Sequence, residues 1–374
     1  MTVTSFDTSY FALDVPDLSV AASVKKSVTL TFSADSETLG TVEEIYYPDE
    51  DGNILIRGLG ELAMSYLKPM PADLFSDSRH VKGWDTGMVT LEVVVENAES
   101  VPVTQLSDPP LRFSTDIYYC NTRCNVTPDS FDGFLNRYSQ RTVSPLQPLM
   151  LTHIKFAPTS FRWIMRYESG GRIIEGQRVD SIARTVGTLY LEQYRVQELV
   201  PAKVFEVVAE CVNEELQQVT DRVIYKIDHG YRRQQTVFAF TNCFGVWETE
   251  ALTGADERKD ELEGTFGMID SQYRKVHTEL TEEHRVCSGY CSAEQYNSLL
   301  DMVRSEHVYL LNDDGTLGEE VTITGIEFSE KKPHATPNAV YLTYRVSNMH
   351  QEVFERKQPQ TGRIFDDTFD TTFE

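Results

Sequence analysis

The densest set of metal-competent side chains is His284-x-x-Cys287-x-x-x-Cys291, one imidazole and two thiols in a short span. With Cys243 or His277 as a fourth donor, such a set has the chemistry of a tetrahedral zinc site. Structural zinc sites usually rest on two tight knuckles, however, and Cys291 directly precedes a helix cap. The spacing favours small, partly buried residues at a strand–helix junction, and no metal ligand is assigned. Cys120 and Cys124 can approach each other across a turn, with buried or loop thiols as the expected state. Asp49-Glu50-Asp51-Gly52-Asn53 and Asn312-Asp313-Asp314-Gly315 place acidic residues before a glycine, as calcium loops do. Neither has the later bidentate Glu, and hairpin turns demand the same residue types for their backbone angles.

Catalytic signatures are absent from the sequence: no G-x-S-x-G elbow, no phosphate loop of the G-x-x-x-x-G-K-[ST] type, no H-E-x-x-H and no G-x-G-x-x-G. The 58 Asp and Glu residues supply carboxylate pairs everywhere, so their number selects none. A hydrolase acting on cell-wall or capsule sugars would need two of them facing each other about 5–10 Å apart. The expectation is a protein that is not an enzyme, with no catalytic residue and no cofactor. Aromatic residues make up 11% of the chain. Tyr46, Tyr47, Trp84, Tyr118 and Tyr119 form a conceivable glycan-stacking platform, although cores and subunit interfaces use the same residues.

The elements that must position these side chains are mostly strands. Val28, Leu30 and Phe32 alternate with hydroxyl residues, which puts three apolar side chains on one face of a half-buried strand. Leu91/Val93/Val95, Phe161/Trp163/Met165/Tyr167 and Val340/Leu342/Tyr344/Val346 repeat the pattern. Asp51-Gly52-Asn53, Gly170-Gly171 and Asp313-Asp314-Gly315 each separate two apolar runs and predict three hairpins. A helix is predicted from Ser292, with Gln295 at capping-box spacing and Tyr296, Leu299, Leu300 and Val303 on one face. A shorter one runs from about Leu59 to Leu67, stopped by Lys68-Pro69.

Length bounds the organisation: 374 residues suffice for two or three domains. The expected fold is mainly β, two or three antiparallel β-sandwich or barrel-like domains with one or two short helices and an extended C-terminal arm. An N-terminal β domain with the short helix is expected over 1–140 and a central β domain over 141–254. A C-terminal β domain with helix 292–304 follows over 255–356, then the arm at 357–374. In the arm, Ile364, Phe365, Phe369 and Phe373 stand among Asp366, Asp367, Asp370 and Glu374. Such a segment buries too little apolar area to order itself, but its last part, Gly362 to Glu374, reaches roughly 40 Å when extended at about 3.3 Å per residue, enough to seat its aromatics on a neighbouring subunit.

Charge restricts the partners. With 34 Lys and Arg, the net charge is −24, which disfavours a phosphate backbone as ligand. No apolar run is long enough for a membrane helix. Met1 to Val15 lacks Lys and Arg and carries Asp7 and Asp14, unlike a secretory signal, so the cytoplasm and reduced thiols are expected.

Several segments together carry a resemblance. These are Asn242-Cys243-Phe244-Gly245-Val246-Trp247-Glu248-Thr249 with Leu252-Thr253-Gly254, and Leu299 to Ser305 leading into Val308-Tyr309-Leu310. Val321-Thr322-Ile323, Val340 to Val346, Tyr46-Tyr47-Pro48-Asp49 and Arg363 to Asp370 accompany them. In these pieces the chain resembles structural proteins of phages and prophages of the Bacteroides group. The resemblance implies a virion component, assembled in the host cytoplasm, with no catalytic residue to carry over. On this basis the expected function is a phage tail or baseplate subunit that self-assembles into a ring and binds neighbouring tail or baseplate proteins. Ile364, Phe365, Phe369 and Phe373 are the expected subunit-contact residues. A glycan-binding adhesin with a β-sandwich fold is the alternative.

Overall fold

A computed structural model describes residues 2–76, 81–84, 87–98, 109–130, 134–136, 138–144, 147–154, 159–167, 170–179, 185–189, 204–229, 235–269, 272–289, 291, 293–312, 315–328 and 339–347. Among the described residues the chain is mainly β, with strands far outnumbering helices, layered in a sandwich-like way without a closed barrel.

The first third contains β1 (Thr2–Val3), β2 (Tyr10–Phe11), β3 (Asp17–Ala21), β4 (Lys26–Ala34), β5 (Glu37–Tyr46) and β6 (Asn53–Ile56). Helices α1 (Leu59–Met64) and α2 (Ala72–Ser76) follow, then β7 (Val81–Gly83), β8 (Met88–Asn97) and β9 (Leu111–Tyr118). Next come β10 (Gln140–Val143), β11 (Leu149–His153), β12 (Thr159–Tyr167), β13 (Arg172–Val179), β14 (Thr185–Leu189), β15 (Val204–Val212) and β16 (Val223–Ile227). The last part holds β17 (Thr236–Thr241), β18 (Trp247–Leu252), β19 (Asp256–Ile269) and β20 (Gln272–Cys287), then α3 (Ala293–Arg304), β21 (Val308–Leu311), β22 (Leu317–Phe328) and β23 (Val340–Val346).

Side-chain alternation explains the N-terminal layers. In the sheet β2-β9-β8-β4-β5, Val28, Leu30 and Phe32 of β4 stand opposite Val95, Val93 and Leu91 of β8. Directly opposed residues share a face, so these six make one continuous apolar surface. Leu18, Val20, Ile54 and Ile56, from the small sheet β1-β3-β6, belong to the same buried core. The predicted hairpin at Asp51-Gly52-Asn53 is not formed: β5 stays in the five-stranded sheet, and β6 pairs antiparallel with β3, Leu18 opposite Ile56. Asp49 explains the departure, since its Oδ1 accepts the N–H groups of Asp51 (3.0 Å) and Asn53 (2.8 Å) and turns the chain toward the second sheet.

The central sheet runs β10-β16-β15-β12-β13, and the hairpin predicted at Gly170-Gly171 joins β12 to β13. Phe161, Trp163 and Met165 form the buried face foreseen from their spacing, packed with Val207, Ala209 and Tyr225. A further small sheet, β11-β14-β7, includes a strand from the first third of the chain.

The seven-stranded sheet runs β18-β17-β21-β22-β23-β20-β19, with β21 and β22 antiparallel neighbours, as the predicted hairpin requires; Asp313 and Asp314 between them lie outside the described residues. Helix α3 covers it through buried Leu299 and Met302, with Tyr296 and Val303 packed beside them. Met302 thus holds the core position expected of Leu300. Pairing is mostly antiparallel; β1–β3, β2–β9 and β10–β16 are parallel.

Candidate functional site

The turn 242–246 and strand β18 lie where the N-terminal, central and seven-stranded sheets meet. Asn242 shapes the turn: its Oδ1 accepts the N–H groups of Phe244 (2.9 Å) and Val246 (3.4 Å), and Gly245 sits at φ 73°. That left-handed backbone favours glycine, and any side chain there would strike the ring of Tyr119. On its outer side the turn plugs the N-terminal core. Phe244 packs on Phe11 with ring centres 5.4 Å apart, and Trp247 on Phe75 at 5.5 Å and on Tyr309 at 5.8 Å. The Trp247 indole donates to the Pro71 carbonyl at 3.2 Å. Met70 N–H donates to the Gly245 carbonyl (2.8 Å) and Asn121 N–H to the Cys243 carbonyl (2.9 Å).

On the other side, β18 carries an ionic cluster. The Trp-Glu-Thr-Glu-Ala-Leu alternation of β18 reads as a strand with its acids in water, yet all six residues are buried. Arg141 of β10 reaches across from the central sheet. Its guanidinium donates to Glu248 Oε2 (2.9 Å), to Glu250 Oε2 (2.6 Å) and to the Thr249 carbonyl (2.6 Å), and lies over the Tyr138 ring at 5.2 Å. The remaining oxygens are also taken: Asn242 Nδ2 donates to Glu248 Oε1 (2.6 Å), and Gln295 Nε2 of α3 donates to Glu250 Oε1 (2.8 Å). Asn242 donates as well to the Leu135 carbonyl at 2.8 Å. Burial opposes the charge on Arg141, but the Glu250 and Glu248 carboxylates outweigh it and hold the guanidinium charged. Burial likewise raises the pKa of Glu248, against the pull of Arg141 and Asn242.

Chemically, this is a satisfied network. Each of the four carboxylate oxygens has a donor, so neither acid is set up to take a proton from a substrate. Its effect is to fix β10, β18 and α3 to one another. The signal that could have revealed it is weak: Glu-x-Glu on a strand that also carries Trp and Leu.

The residues singled out from the sequence fall elsewhere. His284 lies between two carboxylates, its Nδ1 3.2 Å from Asp256 Oδ1 and its Nε2 3.0 Å from Glu282 Oε1, and stacks on Tyr344. Cys287 accepts from the Gly289 N–H at 3.5 Å, and Cys291 is buried. His277's side chain lies outside the described residues. Among the described residues, no group of three His, Cys, Asp or Glu side chains could hold a metal ion. At Asp49, the carboxylate is engaged in its own turn; Asp313 and Asp314 lie outside the described residues. Of the five aromatics proposed as a platform, Trp84, Tyr118 and Tyr119 are buried and Tyr46 is half-buried, its hydroxyl donating to Glu44; Tyr47 alone is exposed, at 72%. Ile364, Phe365, Phe369 and Phe373 lie outside the described residues.

Two further features lie at the periphery. β5 is an edge strand with Glu37, Leu39, Glu43, Glu44 and Ile45 exposed and Tyr47 just beyond it. The β19–β20 hairpin pairs from Asp256–Val286 to Ile269–Gln272, while among the described residues β20 meets β23 over His284–Cys287. From Gln272 to Glu283 the hairpin therefore runs past β23's pairing for roughly 40 Å at about 3.4 Å per residue.

No protein-family model matches this chain, and no curated protein is similar to it.

Proposed function

We propose that this chain is a non-enzymatic structural subunit of a phage tail or baseplate, which closes into a ring of identical copies and binds neighbouring virion proteins. The observation that carries the reading is the contrast between interior and edge. Charged chemistry in the interior is spent on joining sheets, whereas the periphery presents a long edge strand, paired on one side only, with exposed apolar residues, and a long hairpin.

A second copy is the occupant that suits the β5 edge. Exposed edge strands invite pairing or contact with another chain. β5 offers Leu39, Ile45 and Tyr47 among Glu37, Glu43 and Glu44. The outer part of the hairpin places Phe266 opposite Lys275, Gly267 opposite Arg274 and Met268 opposite Tyr273, an apolar and basic composition in a chain of net charge −24. The exposed β5 edge is apolar with acids and the hairpin sequence over 266–275 is apolar with bases, a composition that suits a head-to-tail contact between copies, and such contacts generate rings when the rotation closes. The C-terminal arm, through Ile364, Phe365, Phe369 and Phe373, adds contact area on the neighbour. Assembly would take place in the host cytoplasm, without cofactor, nucleic acid or membrane insertion, and the virion is the final location.

Mass photometry of the full chain, alone and coexpressed with the products of adjoining genes, tests this. Discrete oligomers are expected; monomers alone under every condition would sink the reading.

A further inference from the structure

Three thiols converge where the loop that follows β9 meets the turn 242–246. The sulfurs of Cys120 and Cys124 are 3.2 Å apart. The Thr122 carbonyl accepts from both thiols, at 3.1 and 3.7 Å, which holds the two side chains toward the same point. Cys243 enters from the neighbouring turn, its carbonyl bound by the Asn121 N–H, and its thiol lies against Cys120. The loop itself is pinned: the Asp14 carboxylate accepts the N–H groups of Cys124 (2.7 Å) and Asn125 (3.1 Å), and Asn125 takes the left-handed conformation at φ 56°. Cys120 and Cys243 are buried, whereas Cys124 is half-buried and follows the exposed Arg123.

We propose that Cys120 and Cys124 form a thiol–disulfide exchange site whose co-reactant is a low-molecular-weight disulfide of the glutathione type. Exchange starts at the sulfur a co-reactant can reach, which is Cys124. Its thiolate attacks one sulfur of the small disulfide, forming a mixed disulfide and releasing one small thiolate. That thiolate takes the proton of Cys120, and the Cys120 thiolate then attacks the Cys124 sulfur, expelling the second small thiolate, which takes up from solvent the proton that Cys124 released on ionising. Two protein thiols are oxidised to one disulfide while one small disulfide is reduced to two thiols. The sulfurs must close to about 2.05 Å, roughly 1 Å of travel, within reach of a side-chain rotation. The hydrogen bond to Cys124, reinforced by burial, pushes the Cys120 thiol up to about 12, consistent with Cys120 as the second, resolving group. The site is independent of whether the chain assembles.

The test exposes the reduced full-length chain to oxidised glutathione and follows intact mass and tryptic peptides. Trypsin cuts after Arg112, Arg123 and Arg137, so a Cys120–Cys124 bridge joins the peptides 113–123 and 124–137. The chain contains a second pair with the same C-x-x-x-C spacing, Cys287 and Cys291, which serves as an internal control. In the folded protein the Cys120–Cys124 bridge is expected at least about tenfold faster than a Cys287–Cys291 bridge, and in urea the two rates converge. Cys124→Ser abolishes the bridge and Cys243→Ser preserves it. Thiols that stay reduced, a mixed disulfide that persists at Cys124, a main product linking Cys120 to Cys243, or a Cys287–Cys291 bridge that forms first would each overturn the proposal.

Discussion

Two buried glutamates show how environment, and not residue type, sets the sign of a charge's effect. Glu210 is fully buried on the central sheet, yet Arg222 donates to it at 2.7 Å and Arg162 at 2.6 Å. Burial raises its pKa, but the two guanidinium hydrogen bonds outweigh that and hold it below the ordinary value of 4.5. Glu248 shares one guanidinium with Glu250 and lies near Asp301, so burial prevails and its pKa is raised above 4.5. Linkage gives opposite signs. The stabilisation by Glu210 is full above about pH 4.5 and is lost as the pH falls through its depressed folded pKa. The contribution of Glu248 is full below about pH 4.5 and is lost as the pH rises through its elevated folded pKa. Urea unfolding between pH 2 and 8 is therefore expected to show wild type gaining on Glu210→Gln as the pH rises toward about 4.5, and losing ground to Glu248→Gln as it rises beyond that value. Parallel curves for the two variants would contradict this.

Individual elements are fixed by close approach and by ionic contact. Helix α1 packs so tightly on the 3₁₀ turn Ala12–Asp14 that a Cβ on Gly60 would overlap the Ala12 carbonyl, a backbone atom that cannot rotate away. Gly60→Ala is expected to cost about 1–3 kcal/mol, despite the better helix propensity of alanine, as read from the urea midpoint. Between sheets, Arg141 is, among the described residues, the one cation paired with Glu248 and Glu250. Arg141→Met leaves two buried carboxylates without their cation and is expected to cost about 3–5 kcal/mol. Adding Glu248→Gln and Glu250→Gln to Arg141→Met should recover a large part of that loss. A triple variant no more stable than the single one would show that packing by the arginine stem, not charge, is what matters.

At the scale of the whole molecule, the 242–250 segment packs Cys243, Phe244, Val246 and Trp247 into the N-terminal core and meets Arg141 of the central sheet through Glu248 and Glu250, while the β5 edge lies exposed. Ile45→Ser with Tyr47→Ser is expected to shift the mass distribution toward monomer while leaving the thermal midpoint of the monomer within about 2 °C, since both residues are exposed. Deleting 362–374, or replacing Phe365, Phe369 and Phe373 by Ser, should act the same way. Unchanged assembly in both variants would remove the β5 edge and the arm from the interface.

Much of the element inventory was legible from local pattern alone. The alternation of Val28/Leu30/Phe32, Phe161/Trp163/Met165 and Val340/Leu342/Tyr344 predicts strands with one buried face, and the spacing of Tyr296, Leu299 and Val303 predicts the α3 stripe. Alternation is a property of the pleat and needs no knowledge of the partner strand. What only the tertiary structure decided are the partners: β6 leaving β5 for β3, the burial of Glu248 and Glu250 on Arg141, and the meeting of Cys120 and Cys124 with Cys243. Arg141 lies more than a hundred positions from Glu248, and the worth of a carboxylate, a thiol or a strand edge depends on what the folded chain brings against it across that distance.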